Sequence, residues 1–301
     1  MSNALFVTDF HHGPIIYPKS PRDSALFGNR AAELHRAFIR YANPITPLIL
    51  DGGDQSTHLR KREKHLEAAA RARKESMKFR GDYARAIGNH DPYFDAMEFQ
   101  FNRMTHRLNQ TGLLHTDVVV VQPEVTTTLM GKKYRYDYAY SAETLAAIVE
   151  ECKNPNLIIV SHWAFNRRLR GLARKTQGKP YEYIDNSEAI GEILSGQSSE
   201  GKTVLTLHGH EHYFSRQEQD GYETLVMPSI VQEDVDFSHV PCGLFAKITD
   251  KNRGGIKVEY KKLAVGDKRK AVKTPRFGVI DNVPEEYMRR YARPSKEGGP
   301  P

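Results

Sequence analysis

Five short runs gather side chains that could do metal chemistry: Asp9-Phe10-His11, Gly53-Asp54, Gly88-Asn89-His90-Asp91, Ser161-His162 and Gly209-His210-Glu211-His212. Together they supply carboxylates, imidazoles and one carboxamide. Such donors suit borderline divalent ions such as manganese, iron and zinc, and the set contains no thiolate. Asp9 and His11 lie two apart, as do His210 and His212. On extended backbone, side chains two apart share a face, so both members of each pair can converge on one centre. The glycines before Asp54, Asn89 and His210 let backbone approach without a Cβ in the way. Taken singly these runs say little. A strand-end Asp is more often a turn or cap residue, a lone histidine is more often a satisfied core residue, and Gly-His-x-His arises by chance now and then among 13 histidines. The reading rests on all five standing in order, each at a predicted strand end.

Those strands are apolar and β-rich, and they stop at polar or Gly residues. Residues 4–8, 47–50 and 83–87 read as strands, with a helix over 29–42 carrying Leu34, Phe38 and Tyr41 at helical spacing. A long helix is expected over 59–80, with Leu59, Leu66, Ala70 and Met77 on an apolar stripe and Arg60, Lys64, Arg71 and Lys78 on a basic one. The middle shows a strand at 118–121 and a hairpin of 126–130 with 133–140 around Gly131. Helix 142–152, strand 157–160 and a helix near 186–195 follow, then strands at 203–207, 224–227, 243–248 and 256–263. Alternating β/α units with a strand-rich second half predict two sheets packed face to face with helices outside. The ligand-type residues follow strand after strand, and strand carboxyl ends are where open α/β sheets build their sites. Residues 1–265 are expected to form this domain. Residues 266–301, rich in Lys, Arg, Pro and Gly, are expected to be an extended tail with one short helix near 284–291.

The ordered motifs resemble the calcineurin-like metallophosphoesterases over about residues 4–265. The resemblance implies an α/β fold, a four-layer α/β/β/α sandwich with two mixed β-sheets, and a pair of divalent ions, with manganese the first choice and iron or zinc the alternatives. By the same resemblance Asp9, His11 and His212 would bind one ion, Asn89, His162 and His210 the other, and Asp54 would bridge them. His90 would be the histidine near the scissile bond that binds no metal. Two such ions lower the pKa of a shared water, orient it and neutralise charge on phosphoryl oxygens. Protonating the leaving oxygen then falls to His90, since an unperturbed imidazole pKa of about 6.5 suits that task. His90 and Asp91 are the expected catalytic pair, with Asp91 or a backbone carbonyl orienting the ring. The family's protein phosphatases extend the second motif as Gly-Asp-x-x-Asp-Arg-Gly. Here Thr57 and His58 occupy the places of that second Asp and the Arg, so the layout is closer to the phosphodiesterase-like and nuclease-like branches.

The expected reaction is therefore hydrolysis of a phosphodiester of a nucleotide or similar anion. A DNA or RNA nuclease and a phosphomonoesterase are the alternatives, and a non-catalytic scaffold keeping the sandwich as a binding surface is a third class. Formal charge is +7, and it is focused. Residues 58–80 hold nine Lys/Arg against three Glu, and residues 166–180 hold six with no acid, so the rest of the chain is net acidic. Both segments follow ligand-type residues. They read as a basic helical insert and a basic loop beside the metals, drawing an anionic substrate or nucleic acid; the plainer reading is a solvated helix face and a surface loop. Arg167, Arg168, Arg170 and His58 are the candidate substrate contacts. Trp163, Phe165, Tyr181 and Tyr183 are candidates for stacking on a base, although such aromatics are more often core or rim. His12, His58 and His208 are candidates to lie behind the ligands, and His35, His65, His106, His115 and His239 carry no argument. Cys152 and Cys242 lack a paired motif and are expected as reduced buried thiols. No apolar run approaches the roughly 18 residues that span a bilayer, and the short apolar start at Ala4 lacks a basic lead, so a cytoplasmic protein without a membrane partner is expected.

Overall fold

The alternation of side chains along each strand divides the core in two. In the computed structural model, which describes residues 3–16, 25–57, 62–91, 104–108, 112–130, 133–165, 184–185, 187–237, 240–251, 254–264 and 278–292, seventeen strands and five α-helices occur. The strands are β1 (Asn3–Val7), β2 (Ile15–Ile16), β3 (Leu26–Phe27), β4 (Leu48–Asp51), β5 (Asp82–Arg85), β6 (His106–Arg107), β7 (Thr116–Val120), β8 (Glu124–Met130), β9 (Lys133–Ala139), β10 (Asn156–Val160), β11 (Ile184–Asp185), β12 (Thr203–His208), β13 (Ser215–Gln219), β14 (Tyr222–Val226), β15 (Leu244–Asp250), β16 (Ile256–Ala264) and β17 (Gly278–Val283). The helices are α1 (Ala31–Ala42), α2 (Arg62–Ser76), α3 (Ala142–Glu150), α4 (Ser187–Ser199) and α5 (Glu285–Arg289).

One six-stranded sheet runs β17-β16-β15-β1-β4-β5 and another runs β13-β14-β12-β10-β7-β6. Each is mixed. In the first, β1 is parallel to β4 and β4 to β5, while β15, β16 and β17 join antiparallel. In the second, β7, β10, β12 and β14 are parallel and β6 and β13 close the edges antiparallel. Phe6, Leu48, Leu50, Val118, Val120, Ile158, Val160, Leu205 and Leu207 fill the space between the sheets. Their chain neighbours point the other way. Leu5, Val7 and Ile49 meet Leu34 and Phe38 of α1, and Val119, Leu157, Ile159 and Val204 meet Leu145 of α3 and Ile190 of α4. This is the four-layer α/β/β/α sandwich that the resemblance implies, built by a side-chain period of two.

Two expectations need adjustment, and the strand β13 is unanticipated. The C-terminal residues are not wholly an extended tail: β17 pairs antiparallel with β16, the short helix expected near 284–291 follows as α5, and Met288 and Tyr291 enter the core between the sheets. The signal there is weak because an edge strand with one face in water carries little apolar pattern, and Ile280 is 50% exposed. The strand β13 has the sequence SRQEQ and no apolar residue at all, which suits an edge protected by polar side chains. Among the described residues the helix after Asp54 runs Arg62–Ser76 and ends before the expected 80. Cys152 and Cys242 are free, buried thiols as expected. No helix among the described residues is long and apolar enough to cross a membrane.

Candidate metal centre

The ladder between β1 and β4 continues past both strand ends as loop-to-loop pairing. Asp9 N donates to Gly53 O at 3.0 Å, His11 N to Asp54 O at 2.9 Å and His12 N to Gln55 O at 2.8 Å. Register is thus carried from the sheet into the site. The second sheet is tied in where His162 Nδ1 donates to Gly52 O at 2.7 Å and Gly209 N to His162 O at 3.2 Å. All five motifs therefore meet along one seam, at the carboxyl ends of parallel strands from both sheets.

The backbone there is not extended. Asp9, His11, Asp54, His210 and His212 all have positive φ, between 44° and 67°; among the described residues only Asp220 and Asn282 are other non-glycine cases. The expectation that an i, i+2 pair converges because the chain is extended is corrected. Asp9 and His11 converge because each turns through the left-handed region, as do His210 and His212. That conformation costs about 1 kcal/mol or more for a residue with a Cβ, so its concentration in these five residues marks a site held by its surroundings. Two glycines make the close approach feasible: a Cβ on Gly88 would collide with the Asp54 carboxylate, and one on Gly209 with Thr8 and the Asp9 carboxylate.

The side chains form two groups around one carboxylate. In the first, His11 Nε2 lies 2.9 Å from His212 Nε2, and Asp9 Oδ1 lies 3.2 Å from His212 Nε2 and 3.6 Å from His11 Nε2. In the second, Asn89 Oδ1 lies 3.0 Å from His162 Nε2 and 2.9 Å from His210 Nδ1. Asp54 Oδ2 faces both, 3.9 Å from His11 Nε2 and 3.3 Å from His162 Nε2. Donor atoms of Asp9, His11, Asp54 and His212 all lie within 4.8 Å of one another. Imidazole nitrogens and carboxylate oxygens packed this closely, with no thiolate among them, fit a divalent cation.

The electrostatics follow from that crowding. Burial raises the Asp9 carboxyl, but the His11, His212 and His162 rings outweigh it and hold it well below the usual carboxylate range. Asp54 is lowered in the same way, burial being overcome chiefly by His162 and His90. Burial would lower His162, yet Asp54 and Asp9 push it up to about 9; His212 is raised too, against burial, by Asp9 and Asp54. His210, buried beside His162, is held down to about 3. A carboxylate site that attracts positive charge and contains metal-type donors is what a cation would find here.

His90 stands on the rim, 28% exposed at the side chain, its Nε2 3.8 Å from Asp54 Oδ2, and its backbone N–H donates to Asp54 Oδ1 at 2.8 Å. Burial and the nearby His11, His212 and His162 bring its pKa down to about 4, although Asp54 pulls it up. The ordinary imidazole value expected from sequence does not hold in this surrounding. Asp91, expected beside His90, turns its carboxylate to backbone amides. Its carboxylate accepts from the backbone N–H groups of Asp54 and Gly88 at 3.0 Å each, Gln55 at 3.1 Å and Ser56 at 3.4 Å. It clamps the loop after β4 to the loop after β5.

The basic helix departs from expectation in direction. Its first turn does reach the site loops, where His65 Nδ1 pairs with Thr57 O at 3.2 Å and Thr57 Oγ1 donates to His11 O at 2.9 Å. Its other end meets Asn43: Arg80 N donates to Asn43 Oδ1 at 2.9 Å and Asn43 Nδ2 to Lys78 O at 3.1 Å. Asn43 precedes β4, so this end lies at the opposite edge of the sheet from the ligands, roughly 20 Å along a helix of this length. Glu75 neutralises Arg36 and Lys78, and Glu67 pairs with Arg71. Arg167, Arg168, Arg170, His58, Tyr181 and Tyr183 lie outside the described residues.

Several supporting residues carry no sequence signal. Thr8 Oγ1 donates to Asp9 Oδ2 at 2.5 Å, and Ser229 Oγ donates to Asp9 O at 2.7 Å. Behind the first group, His12 Nε2 pairs with His35 Nδ1 at 3.1 Å, and His35 stacks on Phe10 with ring centroids 3.9 Å apart. Tyr83 donates to Asp51 Oδ2 at 2.7 Å; burial pushes the Asp51 carboxyl up to about 6 even though Arg85, Gln55, Gly53 and Tyr83 lower it. Trp163 and Phe165 are buried, 5% and 1% exposed, so neither offers a face to a base. Trp163 packs on the rings of His162 and His210 instead, at 4.8 Å and 5.4 Å. His208 lies behind His162, with Ser161 Oγ 2.9 Å from its Nδ1.

Solved structures similar to the chain include a conserved uncharacterised protein of Streptococcus pneumoniae TIGR4, described as a predicted phosphoesterase, at 13% identity and TM-score 0.33, covering 86% of this chain and 88% of that one. A candidate 5'-nucleotidase of Staphylococcus aureus has 13% identity and TM-score 0.47, covering 86% of this chain, which spans 53% of that one. Vps29 of Entamoeba histolytica in complex with zinc has 13% identity and TM-score 0.36, with 93% and 99% covered. No protein-family model and no curated protein matches the chain.

Proposed function

We propose that the chain is a metal-dependent phosphoric ester hydrolase of the calcineurin-like metallophosphoesterase kind, acting on a phosphodiester of a nucleotide or similar anion. The observation that carries this reading is the placement of Asp54 Oδ2 between two histidine-bearing groups, 3.9 Å from His11 and 3.3 Å from His162. Asp9, His11 and His212 would hold one divalent ion, Asn89, His162 and His210 a second, and Asp54 both. When bound, such a pair activates water and neutralises phosphoryl charge, with manganese as the preferred metal and iron or zinc as alternatives.

The chain's own residues set the rest of the chemistry. The Nδ1 of His162 is spent on the Gly52 carbonyl, which fixes the ring with Nε2 turned to the centre. His90, partly exposed at the rim, is neutral at pH 7 because its pKa is near 4. A phosphate anion beside it adds the negative charge that raises an imidazole, so substrate itself primes His90 to protonate the departing oxygen. Arg167, Arg168, Arg170 and His58 are proposed to grip the phosphate ester. α2 meets the site loops at its first turn, and the chain after its other end lies beside Asn43, a course that does not favour a strand-tracking nuclease.

A manganese-supplemented panel of a bis-aryl phosphate, an aryl monophosphate, cyclic nucleotides and single-stranded DNA tests this. Diesters should turn over fastest, and chelator should stop the reaction. A monoester preference overturns the diester assignment, DNA cleavage with steep salt dependence supports the nuclease instead, and no turnover on any member leaves the scaffold.

A further inference from the structure

The two groups of candidate ligands are braced differently. Asp9 is held by Thr8 and the His210 amide, both from loops that carry the motifs, and by Ser229 of the loop after β14. The Asn89 group is supported from a different element, the hairpin of β8 and β9. Tyr138, on β9 and 9% exposed, donates its hydroxyl to Asn89 O at 3.2 Å. Its ring packs against Trp163 at 4.8 Å, and Trp163 in turn packs on His162 and His210. One hydroxyl and one indole thus touch all three members of that group.

We infer that Tyr138 is a positioning residue for the metal site formed by Asn89, His162 and His210, setting affinity at that site alone through the Asn89 carbonyl. The inference rests on the two-metal reading above. The physical reason is local. Asn89 is the one neutral oxygen donor of the seven, so its affinity depends on geometry rather than charge. The loop that carries it is pinned by Asp91 through the Gly88 amide and by Tyr138 through the Asn89 carbonyl. Removing the hydroxyl leaves the Asn89–His90 peptide held through its N–H on Asp54 Oδ1 and takes the Tyr138 donor from its carbonyl. That loss does not reach Asp9, His11 or His212.

Trp163 is the chain's only tryptophan, so its emission reports the Asn89 side of the centre. The test is a manganese titration of native protein and Tyr138→Phe, following Trp163 emission together with the number of ions bound at equilibrium, and the melting temperature of both metal-free chains. The paramagnetic ion quenches a nearby indole. The native protein should bind two ions, one step quenching Trp163 strongly. Tyr138→Phe should melt close to native, keep the step that leaves emission little changed, and shift the quenching step to about tenfold higher manganese or more. Equal shifts of both steps, or none, overturn the inference while leaving the two-metal reading standing. Failure of the native protein to bind any ion overturns that reading and this inference together. Should Tyr138→Phe melt far below native, Tyr140→Phe, just past the end of β9, is the comparison: Tyr140 accepts from Trp163 N at 3.3 Å, so an equal shift of the quenching step by that change also overturns the assignment.

Discussion

Asp91 Oδ2 accepts the backbone N–H of Asp54 at 3.0 Å, so the carboxylate of one motif holds the peptide of another, 37 residues earlier in sequence. The same carboxylate also takes the amides of Gln55, Ser56 and Gly88. Four buried donors depend on one side chain.

Replacing Asp91 by Ala should therefore weaken the fold by about 2–4 kcal/mol, since a buried donor left unsatisfied costs about 1–3 kcal/mol and the loops relax in part. Metal affinity should fall as well, because Asp54 loses its anchor. Urea denaturation of the metal-free chain measures the first. A stability within about 0.5 kcal/mol of native would contradict the clamp.

His90→Ala should cut turnover of poor leaving groups by about a hundredfold to ten-thousandfold, the range of a positioned general acid, and that of activated aryl esters far less. Rates on a series of diesters with leaving groups of graded basicity measure this. Equal losses across the series would remove the role of proton donor from His90 and leave it as a binding group.

The raised His162 gives a signed pH prediction. Its pKa is near 9 in the metal-free chain against 6.5 unfolded, so the proton is held at pH 7 and must leave for an ion to bind. Metal uptake at pH 7 should release about one proton from this ring, and apparent affinity should rise with pH up to about 9. In the metal-free chain the stability carried by this histidine is fully present below pH 6.5 and is lost as pH climbs through about 9. Calorimetric titrations in buffers of different ionisation enthalpy count the protons; none released would contradict the assignment.

Much of the site was legible because its donor types are rare and recur at strand ends: Asp9, Asp54, Asn89, His162 and His210 could be marked from order alone. Their conformation was not. A left-handed residue leaves no trace in an Asp or His, and only Gly53, Gly88 and Gly209 hinted that chains approach closely. Supports such as Ser229 and Tyr138 act through single hydrogen bonds across long sequence separations, which no local pattern encodes, and Thr8 bonds its neighbour Asp9 with a residue type too common to stand out. The inner and outer cores were readable where strands are apolar, as in β1 and β10, and unreadable in β13 and β17, where the partner strand supplies the backbone pairing and the side chains face water. The direction of α2 depends on Asn43, a residue of an element packed beside it.

In the proposed centre, Asp54 is the residue on which the two groups of candidate ligands would depend together. Bound manganese counted after equilibrium dialysis, for native protein and for Asp54→Asn, tests that dependence directly. The native chain should retain two ions per molecule, and the variant should lose affinity for both by about a hundredfold, with turnover falling in step. An Asp54→Asn protein that keeps two tightly bound ions, or a native chain that takes up only one, would contradict the shared centre.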